Sequence, residues 1–202
     1  GEQLNRRSVD VLFIGDSLTE YWPTDAPAVW QAEFGHLRCV NLGVAGDTTS
    51  DVLARLQTAK LDHLDARVTV LLIGTNDISL GDGAPSDITR RVRSIVDLIR
   101  GKMPNSKLLL MAVFPRDYSP HAAVRETVRR LNSELVKIAD EQSVFFLDIG
   151  QAFIDRDGFI PKTLMPDGVH LSEEGYAIWA ENMRSQLQSL MQSGGVNTGG
   201  TS

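Results

Sequence analysis

The chain predicts an α/β fold with a five-stranded parallel sheet covered by helices. Three observations carry this expectation. Five short runs are apolar on both strand faces, and helical patterns fill the gaps between them. The length of 202 residues, with 42% hydrophobic and 23% charged residues, suits one compact domain. Strands buried on both faces belong to parallel sheets, and alternating strands and helices imply right-handed crossovers and a doubly wound order.

Residues 9–14, 37–42, 68–73, 107–114 and 144–149 are bulky, often β-branched, and bounded by polar, Gly or Pro punctuation, so each reads as a strand. Residues 49–60 place Val52, Leu53, Leu56 and Ala59 at helical spacing. Ser86 is the expected cap of a helix to about residue 100, with Ile88, Val92, Ile95, Val96 and Ile99 on one stripe. Residues 122–141 repeat the pattern through Val124, Val128, Leu131, Leu135 and Ile138. Ser172 heads a last helix to about residue 192, as a partial cap because Gly175 holds the position three residues on. A single domain over residues 1–192 and a flexible tail over residues 193–202 are expected.

The bulk numbers also exclude. A formal net charge of -6 counts against a nucleic-acid partner, which favours a basic face. No apolar run reaches the length of a membrane span. Gly1-Glu2-Gln3 opens without methionine, as a trimmed form would, so the compartment stays open between cytoplasm and export with a leader removed. The single cysteine, Cys39, reads as a small hydrophobe rather than a reactive thiol.

Chemistry concentrates in four blocks: Gly15-Asp16-Ser17-Leu18, Asn41-Leu42-Gly43-Val44-Ala45-Gly46-Asp47, Gly74-Thr75-Asn76-Asp77 and Asp167-Gly168-Val169-His170. The first three follow expected strands, and ligands of doubly wound sheets sit at the carboxyl ends of strands. Ser17 is a candidate nucleophile, which needs a base to take its proton. His170 is the candidate base. Asp167, three residues earlier, can accept from its Nδ1 and turn Nε2 outward. Gly46 can present an unobstructed backbone N–H, and Asn76 a side-chain amide, to an oxyanion. Each block alone has a bland alternative: Ser17 as a helix cap, Gly46 and Asn76 as turn residues, Asp-x-x-His as coincidence. Asp16 reads as a loop-holding residue. With Asp47, Trp22 and His121 it is also carried as a candidate substrate contact. Tyr21, Trp22 and Trp30 can stack on a sugar ring or pack in the core. No second histidine stands at metal-ligand spacing, so no metal is expected.

Taken together and in order, the four blocks resemble those of the SGNH (GDSL-type) hydrolases. Asn41 to Thr49, Ile73-Gly74-Thr75-Asn76-Asp77 and Pro166-Asp167-Gly168-Val169-His170-Leu171 look most like the branch containing the platelet-activating-factor acetylhydrolase catalytic subunits and many bacterial acyl esterases. The resemblance covers about residues 9–191. It implies a flavodoxin-like three-layer α/β/α fold. It also implies Ser17 as nucleophile, His170 as base, Asp167 as its partner, and Ser17 N–H, Gly46 N–H and Asn76 as the oxyanion hole. The expected activity is a serine esterase for short acyl groups, acetyl above all, acting on a small-molecule or carbohydrate ester without any cofactor. A carbohydrate O-acetylesterase, or a lysophospholipase or thioesterase, is the alternative. A catalytically silent binding domain would need a broken position among these residues, and none is visible. The resemblance allows a homodimer, which no exposed heptad or apolar stripe in the sequence demands.

Overall fold

A computed structural model describes residues 7–193. Its elements are β1 (Arg7–Gly15), α1 (Ser17–Glu20), α2 (Trp22–Asp25), α3 (Pro27–Phe34), β2 (Cys39–Gly43), α4 (Thr49–Thr58), β3 (Leu64–Leu72), α5 (Thr75–Leu80), α6 (Pro85–Lys102), β4 (Lys107–Met111), α7 (Ala123–Leu135), β5 (Val144–Leu147) and α8 (Glu173–Ser193). The five strands are all parallel, in the order β2-β1-β3-β4-β5. The sequence therefore leaves β1 in both directions, and the switch point lies between β1 and β3. The first and third blocks of the site follow these two strands.

Strand alternation divides the core into two layers. Leu12, Ile14, Leu71, Leu108 and Leu110 join one buried cluster with residues of α4, α6 and α7. Val11, Phe13, Val70, Leu109 and Met111 join the other, with Trp22, Phe34, Tyr176, Trp179 and Leu187. That is the three-layer arrangement expected. Gly15 ends β1 where a Cβ would lie 2.5 Å from the Leu72 carbonyl, so only glycine lets the two strand ends approach.

Several boundaries differ from expectation for identifiable reasons. Ser86 does not cap α6. Pro85 occupies the first turn, and the Asp87 carboxylate takes the Ala84 N–H at 3.1 Å. β4 stops at Met111 because Val113 pairs with a side chain instead: its N–H and C=O both bond the Asn132 amide at 2.8 Å. α7 ends at Leu135 in a 3-10 turn, Val136–Ile138. Ser172 does act as a cap, its Oγ accepting from Gly175 N at 3.1 Å. Ser193 belongs to α8, not to the tail, and the remainder of the expected tail lies outside the described residues. Among the described residues, no helix is long and apolar enough to cross a membrane.

Candidate active site

The three strand-end blocks and the Asp167–His170 turn meet at the switch point. Ser17 begins α1, and the cap is the residue before it. Asp16 Oδ1 accepts from Leu18 N at 3.0 Å. Ser17 Oγ lies 3.1 Å from His170 Nε2. On the far side of the ring, His170 Nδ1 lies 2.6 Å from Asp167 Oδ2. Asp167 Oδ1 also accepts from the backbone N–H of Val169 at 2.9 Å and of His170 at 2.7 Å. Partial burial pushes the Asp167 carboxyl up, but the His170 ring and these two amides outweigh it and hold it below the ordinary carboxylate value. An ionised Asp167 fixes the tautomer in which Nε2 accepts from Ser17.

The second block is a tight turn. Asp47 N donates to Val44 O at 3.1 Å, and Gly46, third in that turn, has φ +83°. That position demands a left-handed residue, the usual place for glycine. A Cβ there would meet nothing within 4 Å, so conformation rather than crowding selects the glycine. Asn76 sits in the first turn of α5, and its Nδ2 donates to Asp47 O at 2.9 Å. This bond ties the second and third blocks and leaves a second N–H on the amide. Asp77, fully buried, anchors the same region by accepting from Thr49 N, Thr49 Oγ1 and Arg91 Nη2.

The substrate contacts expected from the sequence fare differently. Trp22 is corrected. It is 0% exposed and stacks on Trp179 with ring centroids 4.2 Å apart, so it belongs to the core. Asp16 is likewise 0% exposed and is corrected to a buried cap. The Asp47 carboxylate is held by Arg55 at 2.7 Å. His121 is exposed on the segment after β4. An aromatic beside the base is Tyr21, half-exposed, with its ring 6.2 Å from that of His170. The Cys39 thiol is pushed up to about 12 by burial, which keeps it un-ionised and inert.

Asp16 carries a pH signature. Burial pushes its carboxyl up to about 7, against weaker opposing effects of the Leu18 amide and His170, with Asp47 adding to the rise. Among the described residues, its Oδ2 has no hydrogen-bond partner. The fold therefore favours the protonated form, and between pH ~4 and ~7 the native state holds a proton that the unfolded chain has lost. Stability contributed at low pH is lost as pH rises through this window and stays lost above it. Asp16→Asn is expected to flatten that decline. Its advantage over the wild type should grow from pH 4 to 7 and then level, on the order of 4 kcal/mol at most. Urea denaturation across this range checks it, and parallel curves for the two proteins would contradict it.

A model of the GDSL-like Lipase/Acylhydrolase family matches residues 13–178. The chain belongs to this family and is a carboxylic ester hydrolase. It is 32% identical over 184 residues to platelet-activating factor acetylhydrolase IB subunit alpha1 of Bos taurus, covering 90% of this chain and 76% of that protein. A GDSL-like lipase from Bacteroides thetaiotaomicron superposes with a TM-score of 0.73 at 21% identity, covering 94% of this chain and 90% of that one. Acetylxylan esterase Axe2 from Geobacillus stearothermophilus does so at 0.71 and 22%, covering 92% and 96%. At these identities the two superpositions establish the shared fold.

Proposed function

We propose that the protein hydrolyses short-chain acyl esters, acetyl esters above all, through an acyl-enzyme on Ser17. One observation carries this reading: the unbroken line from Ser17 Oγ through the His170 ring to Asp167, with contacts of 3.1 and 2.6 Å. His170 takes the Ser17 proton as Oγ attacks the acyl carbonyl. The negative oxygen is met by the N–H groups of Ser17 and Gly46 and by the Asn76 amide. His170 then protonates the leaving alcohol, the C–O bond breaks, and the acyl group remains on Ser17. Water, activated by His170, releases the acid and restores the serine. Asp167 keeps its charge throughout and stabilises the imidazolium.

The preference for small acyl groups rests on the composition of the blocks and the residues beside them. Glu20, Asp47, Asn76, Arg116 and Asp167 are polar, while Tyr21, just after the first block, and Val44, in the second, are exposed large apolar residues. A methyl group can be covered by so little apolar surface, whereas a long chain would remain largely in water and gain little from binding. The hollow of about 280 Å³ between α3 and α8, lined by Phe34, Leu37, Met183 and Leu187 among others, includes no residue of the site. The acetyl-releasing activity in the name of the Bos taurus relative supports the same reading. Turnover of p-nitrophenyl acetate, butyrate and octanoate should fall in that order. Fastest turnover of the octanoate would overturn the short-acyl preference.

A further inference from the structure

The segment after β4 touches both halves of the site. Arg116 Nη1, with its two N–H groups, lies within hydrogen-bond reach of Thr75 O at 2.7 Å, of Thr75 Oγ1 at 3.0 Å and of Ser79 Oγ. One nitrogen thereby grips the first turn and the body of α5, a six-residue helix that carries Asn76. The next two residues grip the His170 loop. Asp117 N donates to Gly168 O at 2.9 Å, and Tyr118 OH donates to Pro166 O at 2.5 Å. The segment is itself held from behind. Arg125, only 6% exposed, donates from Nη1 to Asp117 O at 3.1 Å and from Nη2 to Gly158 O at 3.0 Å. Asp117 stands at φ +70°, a conformation an aspartate tolerates better than most residues, and its Oδ1 accepts from Ser119 N.

The half-buried Arg116 is an expensive way to hold a short helix. Burial lowers its tendency to stay protonated, and the neighbouring carboxylates of Asp167, Asp117 and Asp16 oppose that loss. A guanidinium presents fixed, directional donors and loses less freedom per bond than an ammonium. α5 depends on holds from outside the helix, Asp77 supplying one through Thr49 and Arg91, and Arg116 supplying another at the Asn76 turn. Its N-cap, Gly74, has no side chain and φ +125°, and helices this short are marginal by themselves. The geometry points to Arg116 as a positioning residue for Asn76. It fixes α5 against the strap that carries the His170 loop, so that the Asn76 amide is already aimed when the oxyanion forms. This rests on the esterase reading above and adds to it a residue outside the four sequence blocks.

A double-mutant cycle tests it, with kcat and KM for p-nitrophenyl acetate as readouts. Asn76→Ala should lower kcat on the order of 100-fold. Arg116→Met should lower kcat by about 10- to 100-fold, the scale of a misplaced group, with KM changed less than about threefold. In the Asn76→Ala background the same Arg116→Met change should cost less than about threefold, because the amide it aims is gone. Arg116→Lys should recover part of the lost kcat through its remaining donor. If Arg116→Met fails to fold, Arg116→Lys carries the same cycle with a smaller loss. Equal losses in the two backgrounds, a loss confined to KM, or an unchanged kcat would each overturn the proposal. Failure of the esterase reading looks different: Ser17→Ala would retain the wild-type rate.

Discussion

Ser17→Ala is expected to lower turnover of a small acetyl ester by about ten-thousand-fold or more while leaving the fold intact. The size follows from the chemistry. Without Oγ there is no nucleophile for His170 to activate, and water attack assisted by the remaining donors is all that is left. The intact fold follows from the structure. The α1 cap is the Asp16 carboxylate, and the backbone N–H of residue 17 survives the change. Among the described residues, the side-chain hydrogen bond removed is the 3.1 Å contact to His170, a ring that Asp167 continues to hold at 2.6 Å. Near-ultraviolet circular dichroism should superpose on that of the wild type. A folded Ser17→Ala protein with more than a tenth of the wild-type rate would remove Ser17 from the reaction.

Trp22→Ala is expected to have the largest effect on stability, about 3–5 kcal/mol, equivalent to a fall in Tm on the order of 10 °C or more. Trp22 is 0% exposed and lies at the centre of an aromatic cluster. Trp179 is 4.2 Å away, Tyr176 5.3 Å, Phe34 5.1 Å and Phe13 5.9 Å, measured between ring centroids. The hole left by an indole at a junction of α2, α3, α8 and β1 cannot be closed by small shifts of any one of them. The cluster also supports the site, because Tyr176 OH donates to Leu18 O at 2.9 Å, one residue beyond Ser17. Loss of kcat should therefore track loss of stability. A stable Trp22→Ala protein with a raised KM would contradict this and return Trp22 to the substrate.

How much was legible in the sequence follows from how local each signal is. Strands apolar on both faces announce themselves, and all five were found to within a few residues. The exception at the end of β4 depends on Asn132, a side chain 19 residues away that takes the place of a neighbouring strand at Val113. The helices α2, α3 and α5 carry no periodic stripe because each is too short for one, whereas a helix start at α1 is suggested by the cap-like Asp16-Ser17. Pro27 in the first turn of α3 and Pro85 in that of α6 were usable start signals. Within the candidate site, Ser17, Gly46 and Asn76 stand in short blocks at strand ends, and Asp167 and His170 in a block just before the last helix, each local enough to read from the sequence. The fates of Asp16 and Trp22 were not, because burial is decided by what packs over them: Trp22 lies under Trp179, 157 positions further along the chain. Arg116 was equally hidden. Its partners in Thr75 and Ser79 lie 41 and 37 residues away, and nothing in Pro115-Arg116-Asp117 announces them.

On the proposed mechanism, Ser17 forms a covalent bond to the group it attacks. The most direct measurement is peptide mapping by mass spectrometry after inactivation with a p-nitrophenyl alkylphosphonate, which resembles the tetrahedral intermediate and is not readily hydrolysed from serine. One phosphonyl group per chain is expected, on the peptide containing Ser17, with activity lost in proportion and no modification of Ser17→Ala. Complete inactivation with Ser17 unmodified, or ester turnover that continues in full after Ser17 is blocked, would contradict it.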